Sequence, residues 1–357
     1  MPPSLPDPPT AFPSGLPPNP ASAAPNLDAE SENAFRSLDP SAYLLSFLSR
    51  DARPSSLPLS GSPKLSLRHD VLPLACPSGS VLLSSGCGVR LICGLTTTLG
   101  MSVAATTATN TGQEAAAAVG KLSVSVSSPP ISNPKLHPQL HKDRVATLEA
   151  SLVRLLTSSK YLDLSSLVLD ASKLKNPSSL ALPPNSYFAY TLHMSIVVLS
   201  GAESDLLPLL LTCATSCLCR ARVRNSSAFE MISDNEEGDG GGGTVSLRWD
   251  GWTDSDSDSD SDSWCQVKVL PENLPIPISY CVIRGKMLLT PDELESKVAV
   301  SECHPKGILV LNPKGDITDM GVEYGVEMDE VCRVLELGRG RIKEVERLHL
   351  EGVGGGT

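Results

Sequence analysis

The chain has 357 residues and a formal net charge of −11, with 41% hydrophobic but only 4% aromatic residues, so its core must be aliphatic. Eleven acids against the single Arg248 give residues 227–263 a net charge of −10, which leaves −1 for the rest. A near-neutral body argues against an autonomous nucleic-acid binder with a broad basic face. It does not argue against a local basic groove. No run of about 20 uncharged apolar residues suggests a membrane span.

In chain order, residues 1–33 are rich in Pro, Ser and Ala and read as a disordered tail. Asp39-Pro40-Ser41 caps a short helix whose Tyr43, Leu44, Phe47 and Leu48 share one face. Strands are predicted over 66–74, 80–83 and 88–95, with a loop over 100–120 and an alternating strand over 121–127. The spacing of Val145, Leu148, Leu152 and Leu155 predicts a helix over 143–157. Strands follow over 162–169 and 187–199, the second apolar enough to be central. Asp205 is placed to cap a buried helix to about Arg222, with Pro208 in its first turn.

Residues 227–263 break the pattern with Glu236-Glu237, the Gly240–Gly243 run and a Ser-Asp tract from Asp254 to Ser263. They read as an acidic, solvated insertion. Ser255, Ser257 and Ser259 each have Asp three positions on, which suits acidophilic kinases. Beyond it, strands are predicted over 278–284, 286–289, 297–301 and 307–311, with a capped turn at Thr290-Pro291-Asp292-Glu293. A final amphipathic helix covers 328–350, with Gly338 and Gly340 able to bend it.

The fold class that this order implies is α/β. Asp39 to Leu48 followed by Ala52-Arg53-Pro54 resembles the N-terminal extension of RNA exosome ring subunits of the RNase PH family, although Ser55, Ser56 and Leu57 replace that family's Asp-Gly-Arg. Gly79 to Leu83, Gly86, and Leu91 to Leu95 are similar to the family's Gly-Ser hairpin. Leu274-Pro275-Ile276-Pro277-Ile278-Ser279-Tyr280 is similar to its second-half strand entry. Leu289 to Glu295 looks like a reduced form of its Asp-Pro-Thr-x-Glu-Glu-Glu stretch, and the Asn312 to Asp316 turn follows in the same order.

The resemblance implies an RNase PH-like βαβα domain with its first half over 34–226 and its second half and C-terminal helix over 264–351. It also implies a hetero-oligomer with other exosome ring and cap subunits. RNA would meet the assembled ring, in nucleus, nucleolus and cytoplasm. Active members carry Asp-Gly-Gly-Thr-Arg after the central strand, where Ser200-Gly201-Ala202-Glu203-Ser204 stands here.

Phosphorolysis needs cations for phosphate and an acid for the leaving oxygen, so the expectation is no catalytic residue and no enzyme. The alternative is an active phosphorolytic 3′–5′ exoribonuclease using Asp205 with Arg144, Lys142 being a further phosphate contact.

No metal or cofactor is expected. Cys213 and Cys217 share a helical face from which Cys219 points away, and Pro134 and Pro138 disrupt any helix that would bring His137 and His141 together. The Gly240–Gly243 run lacks the Lys of a phosphate loop, and the Ser-Asp tract lacks the terminal Glu of a calcium loop. The first residues lack a secretory pattern, so the ten cysteines are expected to be reduced.

Overall fold

The computed structural model describes residues 29–103, 119–129, 138–174, 186–201, 205–234, 244–249, 264–322 and 327–354. Strands β1 (Leu65–His69), β2 (Ser80–Ser85), β3 (Arg90–Val103), β4 (Lys121–Ser127) and β5 (Ser186–Ser200) form one sheet in the order β1-β2-β3-β5-β4. Only the β4–β5 pairing is parallel. After the two helices α1 (Ala29–Leu38) and α2 (Pro40–Leu48), α3 (Pro138–Ser158) packs on β4 and α4 (Leu207–Cys219) packs on β2 and β3.

Two small hairpin-like pairs follow, β6 (Arg222–Arg224) with β9 (Trp264–Gln266), and β7 (Phe229–Asp234) with β8 (Thr244–Trp249). The second sheet is antiparallel, in the order β11-β10-β12-β13, from β10 (Ile276–Ile283), β11 (Lys286–Leu289), β12 (Lys306–Leu311) and β13 (Ile317–Val322). Helices α5 (Glu293–Ser301) and α6 (Met328–Gly354) cover it.

Helix α4 is the hinge of the architecture. Every residue from Pro208 to Cys219 is buried, because the helix touches β3, β10, α3 and α6 at once. Such burial is worth roughly 1.5–3 kcal/mol for each large apolar side chain. Its hydroxyls survive burial by bonding backward: Thr212 donates to Pro208 O at 2.9 Å, Thr215 to Leu211 O at 3.0 Å and Ser216 to Thr212 O at 2.8 Å. One core therefore runs from Leu65 in the first sheet to Leu348 in α6.

Several predicted elements stand with shifted ends. Others are corrected. Residues 162–169 hold a 3₁₀ turn over Leu164–Leu167 between two isolated bridges at Leu162 and Val168, because Asp163 bonds the Ser165 amide and curls the chain. Residues 297–301 are helical, because Asp292 accepts from the Glu295 amide while Glu295 accepts from the Asp292 amide, a capping box that outweighs the β-branched run. The chain is helical from Ala29, inside the segment read as tail, while 1–28 lie outside the described residues. The same holds for 104–118 of the predicted loop, whose residues 100–103 extend β3.

Residues 227–263 are not wholly solvated, since β7 and β8 pair within them and Phe229 and Met231 join the core. Finally, α1 and α2 belong with the second half. Tyr43, Leu44 and Leu48 pack with Cys281, Ile283, Leu288 and Leu294 in a separate cluster.

Candidate functional site: a cleft between the halves

Asp205 was expected to cap α4. Leu206 occupies the cap position instead, with no side-chain hydrogen bond, and half-buried Asp205 faces a cleft between the halves. The cleft opens to solvent and has apolar walls from Leu57, Pro63, Pro208, Leu209, Pro277 and Pro291. Its polar lining includes Arg53, Asp205, Ser279, Asp292 and Arg341. The first sheet's C-terminal exit supplies Asp205, the loop after α2 supplies Arg53, and β10 supplies Ser279.

Both arginines already have carboxylate partners. Arg53 is 2% exposed and holds Glu295 through Nε and Nη2, while Nη1 donates to Gly61 O at 3.0 Å and Leu289 O at 2.9 Å, and Nη2 to Thr290 O at 3.0 Å. Arg341 Nη1 donates to Glu344 Oε2 at 2.7 Å. Burial pushes the Glu295 carboxyl up, against the downward pull of Arg53's hydrogen bonds. Asp205 and Asp292 line the same cleft, so two arginines and two carboxylates meet there, and Asp292 also accepts from the Glu295 amide at 2.9 Å. Ser279 is 2% exposed, and its Oγ has no hydrogen-bond partner.

The other predicted positions lie close by. Ser200 Oγ donates to Gly88 O at 2.8 Å, and Gly201 adopts φ +77° with its Cα against Val89, where a Cβ would meet Val89 Cα at 2.9 Å. Ala202, Glu203 and Ser204 lie outside the described residues. Arg144 is half-buried and lines a smaller cavity with Val126, Ser128, Val198 and Leu206, next to Asp205 in the chain, whereas Lys142 is exposed.

Cys213 and Cys217 do share a face, on which Cys93 of β3 also packs. Contact with both thiols, together with burial, pushes the Cys93 thiol up. Cys219 turns to Tyr161. Among the described residues no group of three His, Cys, Asp or Glu is arranged to hold a metal ion, and none of their helices is long and apolar enough to cross a membrane. His137, the side chain of His141, Gly240–Gly243 and the Ser-Asp tract lie outside the described residues.

No protein-family model matches the sequence, and no curated protein matches it. Solved structures do. A chain of the Archaeoglobus fulgidus exosome with RNA bound to the active site aligns with a TM-score of 0.60 and 14% identity, over 89% of this chain and 98% of that one. A chain of an archaeal exosome core aligns with a TM-score of 0.57 and 14% identity, over 90% and 99%.

The fold is RNase PH-like. Rice (Oryza sativa) Rrp46 aligns with a TM-score of 0.47 and 12% identity, over 84% of this chain and all of that one. At such identities the likeness shows the RNase PH-like fold alone.

Sequence reasoning had singled out Asp205, Arg144 and Lys142. It missed Ser279, Arg341 and the role of Arg53 in the cleft wall. The one signal for Arg53 was Asp292-x-x-Glu295, a capping box whose glutamate is buried.

Proposed function

We propose that this chain is a non-catalytic ring subunit of an RNA exosome, most like ribosomal RNA-processing protein 43. It would support 3′–5′ RNA processing and degradation in nucleus, nucleolus and cytoplasm. Its partners would be the other ring and cap subunits, with RNA held by the assembled ring. The RNase PH-like fold supports the family. The engagement of both cleft arginines by glutamates supports the loss of catalysis. Phosphorolysis needs cations that stabilise phosphate beside a developing negative charge. Here both cleft arginines are engaged by Glu295 and Glu344, and Asp205 and Asp292 face the opening.

The competing reading is an active phosphorolytic exoribonuclease with Asp205 as acid and Arg144 on phosphate. It draws on Arg144 and Leu206 lining one cavity beside Asp205. Purified chain incubated with single-stranded RNA and inorganic phosphate decides between them. No nucleoside diphosphate is expected. Diphosphate release that Asp205→Ala abolishes overturns the proposal. Affinity purification of the tagged chain should return exosome ring subunits in equal amounts, and its recovery alone would count against the assembly.

A further inference from the structure

We infer that the uncovered face of the first sheet binds single-stranded RNA by its sugar–phosphate backbone, without reading the bases. The ring-subunit reading enters only in choosing RNA among polyanions.

Helices α3 and α4 cover one face of this sheet, where Leu83, Leu91, Val126 and Val198 join the core. Side chains alternate along each strand, so their neighbours point the other way. Ser66 and Arg68 of β1, Arg90 and Thr98 of β3, and Lys121 and Ser125 of β4 are exposed there. Arg68, Leu82, Ile92, Val197 and Ser127 lie in one row across the five strands, and no residue of that row is buried. Along this row the face is open from edge to edge.

An open face on a largely antiparallel sheet is commonly just solvated. Charge sets this one apart. The chain carries a net −11, yet the strands of its first sheet contain no Asp, Glu, Asn or Gln. Their Arg and Lys residues are Arg68, Arg90 and Lys121, and all three fall on the open face. None of the three side chains has a hydrogen bond or ion pair among the described residues. Arg154, Arg220 and Lys286, by contrast, are each held by a carboxylate. Asp70, next after β1, has φ +55° and pairs with Arg220 at 3.4 Å.

Cations and hydroxyls are the groups that hold phosphate and sugar, and they carry no sequence information. The strands lack the amides and carboxylates that bind base edges, so the face holds a backbone and leaves the bases alone. Lys121 is level with Thr98 and Arg68 with Ile92. At about 4.8 Å between strands and about 3.4 Å per residue, the backbones of Arg68 and Lys121 stand on the order of 28 Å apart along the diagonal.

The test titrates the purified full chain into a fluorescent oligouridine of about twelve nucleotides and reads anisotropy at several salt concentrations. Three phosphate contacts predict a slope of log affinity against log salt of about −2, a loss of about twentyfold between roughly 50 and 200 mM. Arg68→Gln/Arg90→Gln should bring the slope to about −0.7, and Arg68→Glu/Arg90→Glu should lower affinity at least about tenfold. Lys314→Gln, at an exposed turn of the second sheet, should change neither. An oligomer of mixed sequence should bind as oligouridine does.

No binding, a slope near zero, or an affinity unchanged by charge reversal overturns the inference. Tighter binding of a Ser-Asp peptide with the sequence of 254–263, displacing the RNA, also overturns it by making an acidic protein segment the occupant. Should the arginine variants fail to fold, Lys121→Gln and the salt slope of the unaltered chain still decide it. The ring-subunit reading is scored separately, by the subunits that the tagged chain recovers.

Discussion

Replacing Glu295 by leucine removes the carboxylate that Arg53 holds from a site where both side chains have no exposure. Breaking a buried pair from one side costs about 3–5 kcal/mol, because the remaining charge stays in the interior. The change also breaks the capping box of α5, which adds about 1 kcal/mol. Arg53→Met should cost more. It strands the Glu295 charge and leaves the carbonyls of Gly61, Leu289 and Thr290 without their guanidinium, at about 1 kcal/mol each.

The double variant Arg53→Met/Glu295→Leu removes both charges together. Only the three carbonyls and the cap are then lost, about 4 kcal/mol in total. It should therefore be more stable than Arg53→Met alone. Urea unfolding of the three variants and the parent, followed by circular dichroism, supplies the cycle. A double variant as unstable as the two single losses added together would refute the reasoning, as would a Glu295→Leu change costing under about 1 kcal/mol.

Three further outcomes follow from other parts of the fold. Phe229→Ala should destabilise the chain by about 3 kcal/mol, because the ring belongs to the core. Deleting 250–263 behind a short linker should shift the melting temperature by no more than about 2 °C, and thermal melts of both test the division of that segment. Burial holds His349 below its ordinary value of 6.5, and nearby His69 is also lowered, by burial and then by Arg220.

The unfolded chain thus takes up protons that the fold resists. The His349 contribution is complete above about pH 6.5 and is lost as the pH falls below it. Nδ1 of His349 donates to Val345 O at 2.9 Å, and Nε2 lies 3.1 Å from Thr215 Oγ1. His349→Gln should flatten the stability curve between about pH 5 and 7, and an unchanged slope in urea titrations would exclude this origin.

Local signals were readable wherever a residue acts on its own neighbours. Asp39 caps α2 as its position before Pro40 suggests, accepting from the Ala42 amide at 2.9 Å. The spacing of Leu152 and Leu155 placed the buried face of α3. Readings failed where two local rules competed. Val298-Ala299-Val300 has strand composition, yet the Asp292–Glu295 box begins a helix first. Asp205 is a good cap residue one position too early, because Pro208 has no N–H to donate to its side chain and the helix starts at Leu207.

The cleft itself was invisible. Arg53 and Glu295 are 242 positions apart, and their meeting depends on α2 crossing to the second sheet. No periodicity records such a crossing. Ser279 looks like any strand serine until its surroundings close over it.

That crossing also orders events during synthesis. The first sheet has all its strands once Ser200 is made, and β5 pairs with both β3 and β4, which precede it. Arg53 and α2 cannot settle then, because their partners lie near Cys281 to Glu295. At roughly 5–20 residues per second, they wait on the order of ten to fifty seconds while the rest of the chain is translated. Throughout that interval Tyr43, Leu44 and Leu48 remain uncovered beside the nascent first half, a window in which a chaperone or a neighbouring subunit reaches the apolar face of α2 before its own chain does.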